Sequence, residues 1–388
     1  MSKEKLLESV AAQQAHLFDL SCQIFDFNEP NGTEYKSSAL CADELEKLGF
    51  TVERGIGNQE TSFRAVWKNG EGGPNIGILG EYDSLVGKGH ACGHHLQTTA
   101  AIGAVKAMKE LFAGSDVPMT LTVYGTPAEE TYGGKIIMQE AGCFQELDIC
   151  LGTHATRSKA YVGGSSMALT SYVVTYHGKS AHASGSPWLG RSAMDAMLLT
   201  FQGLEFLREH VKDGTRMHYS IKEAIGPSNV VPQRACAGFT LRSKNNDYLP
   251  ELDERFRKVV NGACMMTDIT CDFEKKPTYL ARKRNNTLSA VAKANYDALG
   301  IETTDPLVVD SNGSTDFGNV SGIVPGILVY LHYIDAPGHS DEWVAAGKTD
   351  DARRCLLQST QMLAALMYDL VLNPEIIRKA KEEFDKAN

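Results

Sequence analysis

Residues 80–100 read Gly-Glu-Tyr-Asp-Ser-Leu-Val-Gly-Lys-Gly-His-Ala-Cys-Gly-His-His-Leu-Gln-Thr-Thr-Ala. An apolar run from Asn75 to Leu79 precedes them and predicts a buried strand. Thr98 to Phe112 carries the spacing of a helix. Two acids, a cysteine and three histidines therefore fall between the end of a strand and the start of a helix. In an open α/β sheet that is where ligands bind.

Outward from this stretch the chain alternates. Residues 3–27 and Glu34 to Leu48 have helical periodicity, and strand-like runs follow at Thr51–Arg54 and Ser62–Trp67. After the donor-rich segment and its helix come a strand at Met119–Tyr124, a helix at Tyr132–Ala141 and a strand at Leu147–Gly152. Strand–helix alternation predicts a doubly wound, mostly parallel α/β sheet with helices on both faces. The pattern then changes. Strands at Ser166–Tyr176, Met217–Ile225, Cys236–Arg242 and Asp268–Phe273 are interleaved with helices at Arg191–His210 and Asp247–Val260. This strand–helix–strand–strand–helix–strand order is the split βαβ, ferredoxin-like arrangement of a small α+β domain. Alternation returns with a helix at Asn286–Leu299, strands at Pro306–Val309 and Gly326–His332, and one long helix at Asp341–Leu372. The expected organisation is a discontinuous domain of residues 1–164 and 279–388 with a second domain, 165–278, inserted into it.

At 388 residues the chain is long for a single core, which suits this division. Hydrophobic residues at 43% and charged residues at 22% are those of a soluble globular protein. A formal net charge of −10 argues against nucleic acid or an anionic membrane as a partner. There is no unbroken apolar run of membrane-spanning length, and the first residues, Met-Ser-Lys-Glu-Lys, lack the apolar stretch of a secretory signal. Nine scattered cysteines without framework spacing suit free thiols in a reducing cytoplasm. Glu375 to Asn388 reads as a solvated terminal helix.

Five places carry candidate chemistry. In Cys92-Gly93-His94, the glycine lets a thiolate and an imidazole fold onto one metal. The adjacent carboxylates Glu129 and Glu130 follow a buried strand, where they repel each other unless a cation or shared proton relieves them. His154 ends the next strand, His182 lies in Gly-Lys-Ser-Ala-His-Ala within the insert, and His339 follows the last strand. Each is ordinary alone. In a doubly wound fold the strand ends meet along one edge, which gathers all but His182. Thiolate, imidazole and carboxylate together suit zinc, with manganese as the alternative. Cys92, His94, Glu130, His154 and His339 are donors enough for two divalent ions, leaving Glu129 as general base toward water.

In these motifs the chain resembles the M20 metallopeptidases, and within them the amidohydrolase subfamily. His-Ala-Cys-Gly-His at 90–94, Pro-Ala-Glu-Glu at 127–130, His154, Ala-His-Ala at 181–183 and His339 stand in that family's order. Gly-Glu-Tyr-Asp-Ser-Leu at 80–85, the segment 178–193 and Asn-Gly-Ser-Thr-Asp at 312–316 are similar to the aminobenzoyl-glutamate hydrolases and Xaa-Arg or β-alanyl-lysine dipeptidases. The resemblance implies that Cys92 bridges two metals, that Asp83 supports a ligand from behind, and that Glu129 is the base. It implies that the insert is a lid and dimerisation surface, with His182 stabilising the oxyanion in the partner's site. Asn229 and Arg242 would hold a substrate carboxylate, a guanidinium fork being suited to one. The expected enzyme is a homodimeric or larger amide hydrolase acting on dipeptides, N-acyl amino acids or aminobenzoyl-glutamate.

Two residues depart from the family pattern. His95 stands where Asp or Asn is usual; it is open to reading as an extra donor, as support behind the ligands, which is favoured, or simply as the first residue of the helix. Trp343 replaces a smaller aromatic, which would reshape the pocket. Two other readings compete: a cysteine hydrolase with Cys92 as nucleophile, and a degenerate binding protein of the same fold.

Overall fold

The computed structural model describes residues 1–386 and divides into two compact units. The larger comprises Met1–Ser165, Arg282–Ser311 and the described residues from Thr315 on; the smaller comprises Ser166–Ala281 and Asn312–Ser314. No sequence pattern marks the return of Asn312–Ser314 to the smaller unit. There the Gly313 carbonyl accepts from Met167 N–H, and Ser314 Oγ donates to the Met167 carbonyl.

The larger unit begins with helices α1 (Lys3–Ala12), α2 (Gln14–Phe27) and α3 (Tyr35–Lys47) and strands β1 (Thr51–Arg54), β2 (Phe63–Asn69) and β3 (Asn75–Gly80). The single helix expected over 3–27 is broken at Gln13, whose side chain turns inward and donates to the Gly103 carbonyl. Then come α4 (Gln97–Phe112), β4 (Met119–Gly125), α5 (Gly134–Glu140), β5 (Ile149–Thr156) and β6 (Ala160–Gly163). In the smaller unit, β7 (Ala168–His177), α6 (Ala193–Leu207), β8 (Arg216–Glu223), β9 (Arg234–Ser243), α7 (Leu249–Thr267) and β10 (Thr270–Lys275) follow. The larger unit resumes with α8 (Asn286–Ala298), β11 (Thr303–Val309), α9 (Phe317–Ser321), β12 (Gly326–His332), α10 (Asp341–Ala345), α11 (Asp350–Leu372) and α12 (Pro374–Lys386). The terminal helix expected over 375–388 thus matches α12, with Ala387 and Asn388 outside the described residues.

The large sheet is mixed, in the order β1-β2-β4-β3-β5-β12-β6-β11. Its centre, β4-β3-β5-β12, is parallel, and β3 is buried along nearly its whole length, as an apolar run should be when both faces are covered. Strand β6, short and flanked by polar residues, carried no sequence signal; it pairs antiparallel to β12 and parallel to β11. The smaller unit's sheet runs β10-β7-β9-β8, all antiparallel, as a split βαβ fold requires.

The helix expected over 341–372 is two helices. At Gly347 an added Cβ would meet Phe25 Cε2 at 2.0 Å, so the chain turns where only glycine fits, and His95 Nε2 donates to the Gly347 carbonyl. By length and composition α11 could cross a membrane, but two-thirds of it is buried against the protein's own core. Gly80, ending β3, allows a comparable approach: a Cβ there would lie 2.8 Å from Thr98 Cα, so the strand end and α4 sit in contact.

Candidate metal centre

The loops after β3, β4 and β12 and the end of β5 present the candidate donors. Gly93 has φ +81°, a left-handed turn that sets Cys92 and His94 toward the same point. His154 lies inside β5 rather than after it, since hydrogen bonding to β12 continues to Thr156 and pairs His154 with Tyr330. His339 is half exposed in the loop after β12, with φ +64° and its N–H on the Ala91 carbonyl.

Potential ligand atoms of Cys92, His94 and His154 lie within 4.8 Å of one another, and so do those of Cys92, Glu130 and His339. His94, Glu129 and Glu130 form a third such set. The structure therefore brings together all five donors and Glu129, with Cys92 common to two triads.

The ring contacts fix which nitrogens can ligate. His94 Nδ1 is 2.9 Å from Asp83 Oδ1 and donates to it, so Nε2 is the nitrogen left to face a metal. That Nε2 and Glu130 Oε1 are buried without a hydrogen bond of good geometry, with Glu81 Oε2 3.2 Å from the first and His339 Nε2 3.3 Å from the second. Buried acceptor and imidazole atoms that face one another without well-aligned hydrogen bonds fit a cation between them. His154 Nδ1 donates to the Ala155 carbonyl at 2.7 Å, leaving Nε2 3.4 Å from Cys92 Sγ. Asp83 also accepts from Glu130 N–H through Oδ2 at 3.1 Å, so one carboxylate orients two donors.

The electrostatics call for a positive charge at this point. Burial, with Glu130 and Glu129 nearby, pushes the Cys92 thiol well up despite His94, so only a cation would make it a thiolate. A nucleophilic cysteine needs the reverse. Burial would lower His94, yet Cys92, Asp83 and Glu81 hold it well above the imidazole range. Burial raises Glu129 far above a normal carboxyl, and Glu81, Asp316 and Glu130 add to it. Burial opposes ionisation of Glu130 too, but His339 and His94 outweigh it and hold it low.

Behind these residues lies a network that the sequence did not disclose. Lys135 is buried, with Nζ 2.5 Å from Glu81 Oε1 and 2.7 Å from Asp316 Oδ1. Its N–H also donates to Asp316 Oδ2 at 3.1 Å. Glu81 Oε2 accepts from Gln97 Nε2 at 2.7 Å and lies 3.2 Å from His94 Nε2. Oxygens of Glu81, Glu129 and Asp316 are close enough for a metal, but the Lys135 ammonium already supplies that cation. Lysine after two glycines at a helix start carries no sign of such burial.

Other expectations come out differently. His95 is buried against Phe25 and bonded to Gly347, and burial lowers its pKa to about 3; it is a neutral core residue rather than support for a ligand. Trp343 is buried, stacks edge-on to Tyr333 and donates to the Ala336 carbonyl at 2.7 Å. It braces the His339 loop rather than forming a pocket wall. His90 packs on Phe25 and meets the Ile24 carbonyl.

His182, Asn229 and Arg242 all belong to the smaller unit. His182 is exposed, and its Nδ1 accepts from Gly185 N–H at 3.1 Å, which leaves Nε2 as the donor. The Asn229 carbonyl accepts from Ala183 N–H, placing the two segments side by side. Arg242 donates to Ser314 Oγ at 2.7 Å, makes no ion pair among the described residues, and is lowered by burial alone.

The sequence matches the profile of peptidase family M20/M25/M40 over residues 74–368. The chain belongs to this family. It is an M20 hydrolase, 33% identical over 338 residues to the Xaa-Arg dipeptidase of Mus musculus, covering 84% of this chain and 78% of that protein. It is 28% identical to a chain of the p-aminobenzoyl-glutamate hydrolase of Escherichia coli strain K12, covering 97% of this chain and 93% of that one. A dinuclear metal-binding M20 peptidase from Bacillus subtilis shares the fold, with a TM-score of 0.72 at 18% identity over 93% of this chain and 99% of that one. An M20 hydrolase replaces both the cysteine hydrolase and the degenerate binding protein as the reading of this chain.

Proposed function

We propose that this M20 hydrolase cleaves an amide in a small substrate carrying a carboxylate. The class comprises Xaa-Arg-type dipeptides, N-acyl amino acids and aminobenzoyl-glutamate. One observation carries the reading: Cys92 Sγ belongs to two donor triads at once, one with His94 and His154 and one with Glu130 and His339. Cys92, His94, Glu130, His154 and His339 would hold two divalent ions, zinc or manganese. When bound, these supply Lewis acidity toward the amide carbonyl and lower the pKa of water.

The chain's own residues do the rest. Glu129, raised by burial and then by its acidic neighbours, takes a proton from the attacking water and returns it to the departing amine nitrogen. His182, with Nε2 as donor, stabilises the oxyanion in the partner's site, and Asn229 and Arg242 hold the substrate carboxylate. The smaller unit would act as lid and dimerisation surface. Nine cysteines without a disulfide support a reducing, cytoplasmic setting for the homodimer.

The test is metal-reconstituted protein assayed on a panel of dipeptides and N-acyl amino acids, before and after dialysis against a strong chelator. Hydrolysis that disappears on chelation and returns with zinc or manganese supports the proposal. Activity that survives chelation, or metal-loaded protein that cleaves no amide, contradicts it.

A further inference from the structure

Glu34 is fully buried, and its carboxylate has no cation partner among the described residues. Burial pushes its pKa up, as expected for an acid carried into the interior without a counter-charge. A fold accepts that cost when the carboxylate organises donors that nothing else can reach. Its donors are three. Oε1 accepts from Gly32 N–H at 2.9 Å and from Ala128 N–H at 3.0 Å, and Oε2 accepts from Thr61 Oγ1 at 2.9 Å.

Ala128 is the residue before the Glu129–Glu130 pair, and it is strained. Its φ is +58°, a left-handed conformation that a residue with a Cβ adopts at a cost of about 1–2 kcal/mol. The turn is closed from the other side by Gly133 N–H on the Ala128 carbonyl at 3.0 Å. Gly134 permits that closure, because a Cβ there would lie 2.1 Å from the Pro127 carbonyl oxygen. The Ala128 peptide plane fixes the directions in which Glu129 and Glu130 leave the chain. Relaxed to negative φ, the same residue would swing both carboxylates away.

We infer that Glu34 is a positioning residue for the hydrolytic site: its buried carboxylate clamps Ala128 in the left-handed conformation that aims Glu129 and Glu130. This rests on the roles proposed above for those two acids.

The experiment compares wild type with Glu34→Leu, Glu34→Gln and Glu34→Leu/Ala128→Gly. It reads kcat and KM on an amide the wild type cleaves, zinc affinity of the apo-protein, and hydrogen exchange of the Ala128 amide. Glu34→Leu should exchange that amide at least tenfold faster, lower kcat tenfold to a hundredfold with KM changed less than threefold, and weaken zinc binding, since Glu130 is a donor. Glu34→Gln should keep kcat within about threefold, because Gln Oε1 still accepts from Ala128 while the Thr61 hydroxyl turns to accept from Nε2. Glycine adopts positive φ without strain, so Ala128→Gly in the Glu34→Leu background should recover a large part of kcat and zinc affinity.

Wild-type kcat in Glu34→Leu overturns the inference, as does a loss that Ala128→Gly leaves unrelieved, which would make Glu34 a core residue only. If Glu34→Leu does not fold, Glu34→Asp, one methylene short of Ala128, carries the same comparison with the same rescue. If wild type neither binds zinc nor cleaves any amide, the proposed function fails by itself. The exchange rate of the Ala128 amide then still decides whether the clamp exists.

Discussion

Replacing Lys135 by methionine tests the buried charge network directly. Lys135 and Asp316 are essentially inaccessible to solvent and Glu81 nearly so, with 1%, 0% and 7% of their side chains exposed. Methionine fills the volume but leaves two buried carboxylates facing each other without their cation. Removing one partner of such a set costs about 3–5 kcal/mol, because the remaining charge is uncompensated. For a unit of this size that corresponds to a fall in Tm of about 10 °C, at roughly 2–4 °C per kcal/mol. Burial alone would neutralise Lys135, and it stays charged because Asp316, Glu81 and Glu129 hold it so. The decisive control neutralises the ammonium and both carboxylates paired with it: Glu81→Gln/Lys135→Met/Asp316→Asn retains the shapes and removes those three charges. Calorimetry should place the triple variant closer to wild type than Lys135→Met alone. A single variant melting within about 2 °C of wild type, or a triple variant less stable than the single, would refute the reasoning.

Two further outcomes follow from named contacts. Glu129→Gln should lower kcat by a factor of about 100 or more, the scale of a lost general base, while the metal content measured by mass spectrometry stays that of wild type. Loss of metal together with activity would make Glu129 a ligand instead. Glu383, on α12, accepts from both N–H and side-chain donors of Asn286 and Thr287 at the start of α8. Partial burial would raise its pKa, but those donors outweigh it and depress it. A depressed carboxyl stabilises above its unfolded pKa of about 4.3 and loses that contribution as pH falls through the folded value. Glu383→Gln should therefore lower Tm at pH 7 and converge on wild type below about pH 4; a deficit unchanged at acid pH would contradict the assignment.

The parts of the fold that the chain made readable are those where one physical signal acts alone. Strand β12 is a continuous apolar run between Pro325 and the segment Asp335-Ala336-Pro337, and its observed limits, Gly326–His332, are the expected ones. Where tertiary contacts overrule local pattern, reading fails. Helical periodicity runs on past Gly347, but Phe25 and His95 dictate a turn there. Strand β6 is four residues long and takes its shape from β12 and β11. The gathering of Cys92, His94, Glu130, His154 and His339 at one place was legible because each sits at or near the end of a strand, and strand ends in such a sheet converge. Lys135, Glu81, Asp316 and Glu34 were not, because a buried charge looks like a surface charge until its partners, far away in sequence, are known. Trp343 shows the converse. As a substitution near His339 it looked like a change of pocket, yet its indole holds the Ala336 carbonyl and serves the loop.

The most direct test of the metal centre concerns the one atom shared by both triads. Wild type and Cys92→Ala would be stripped, reconstituted with zinc, freed of excess and measured for bound metal per chain. The account predicts two ions per wild-type chain and a loss of both in Cys92→Ala, with the fold retained by circular dichroism. A folded Cys92→Ala protein that still holds two zinc ions would contradict it.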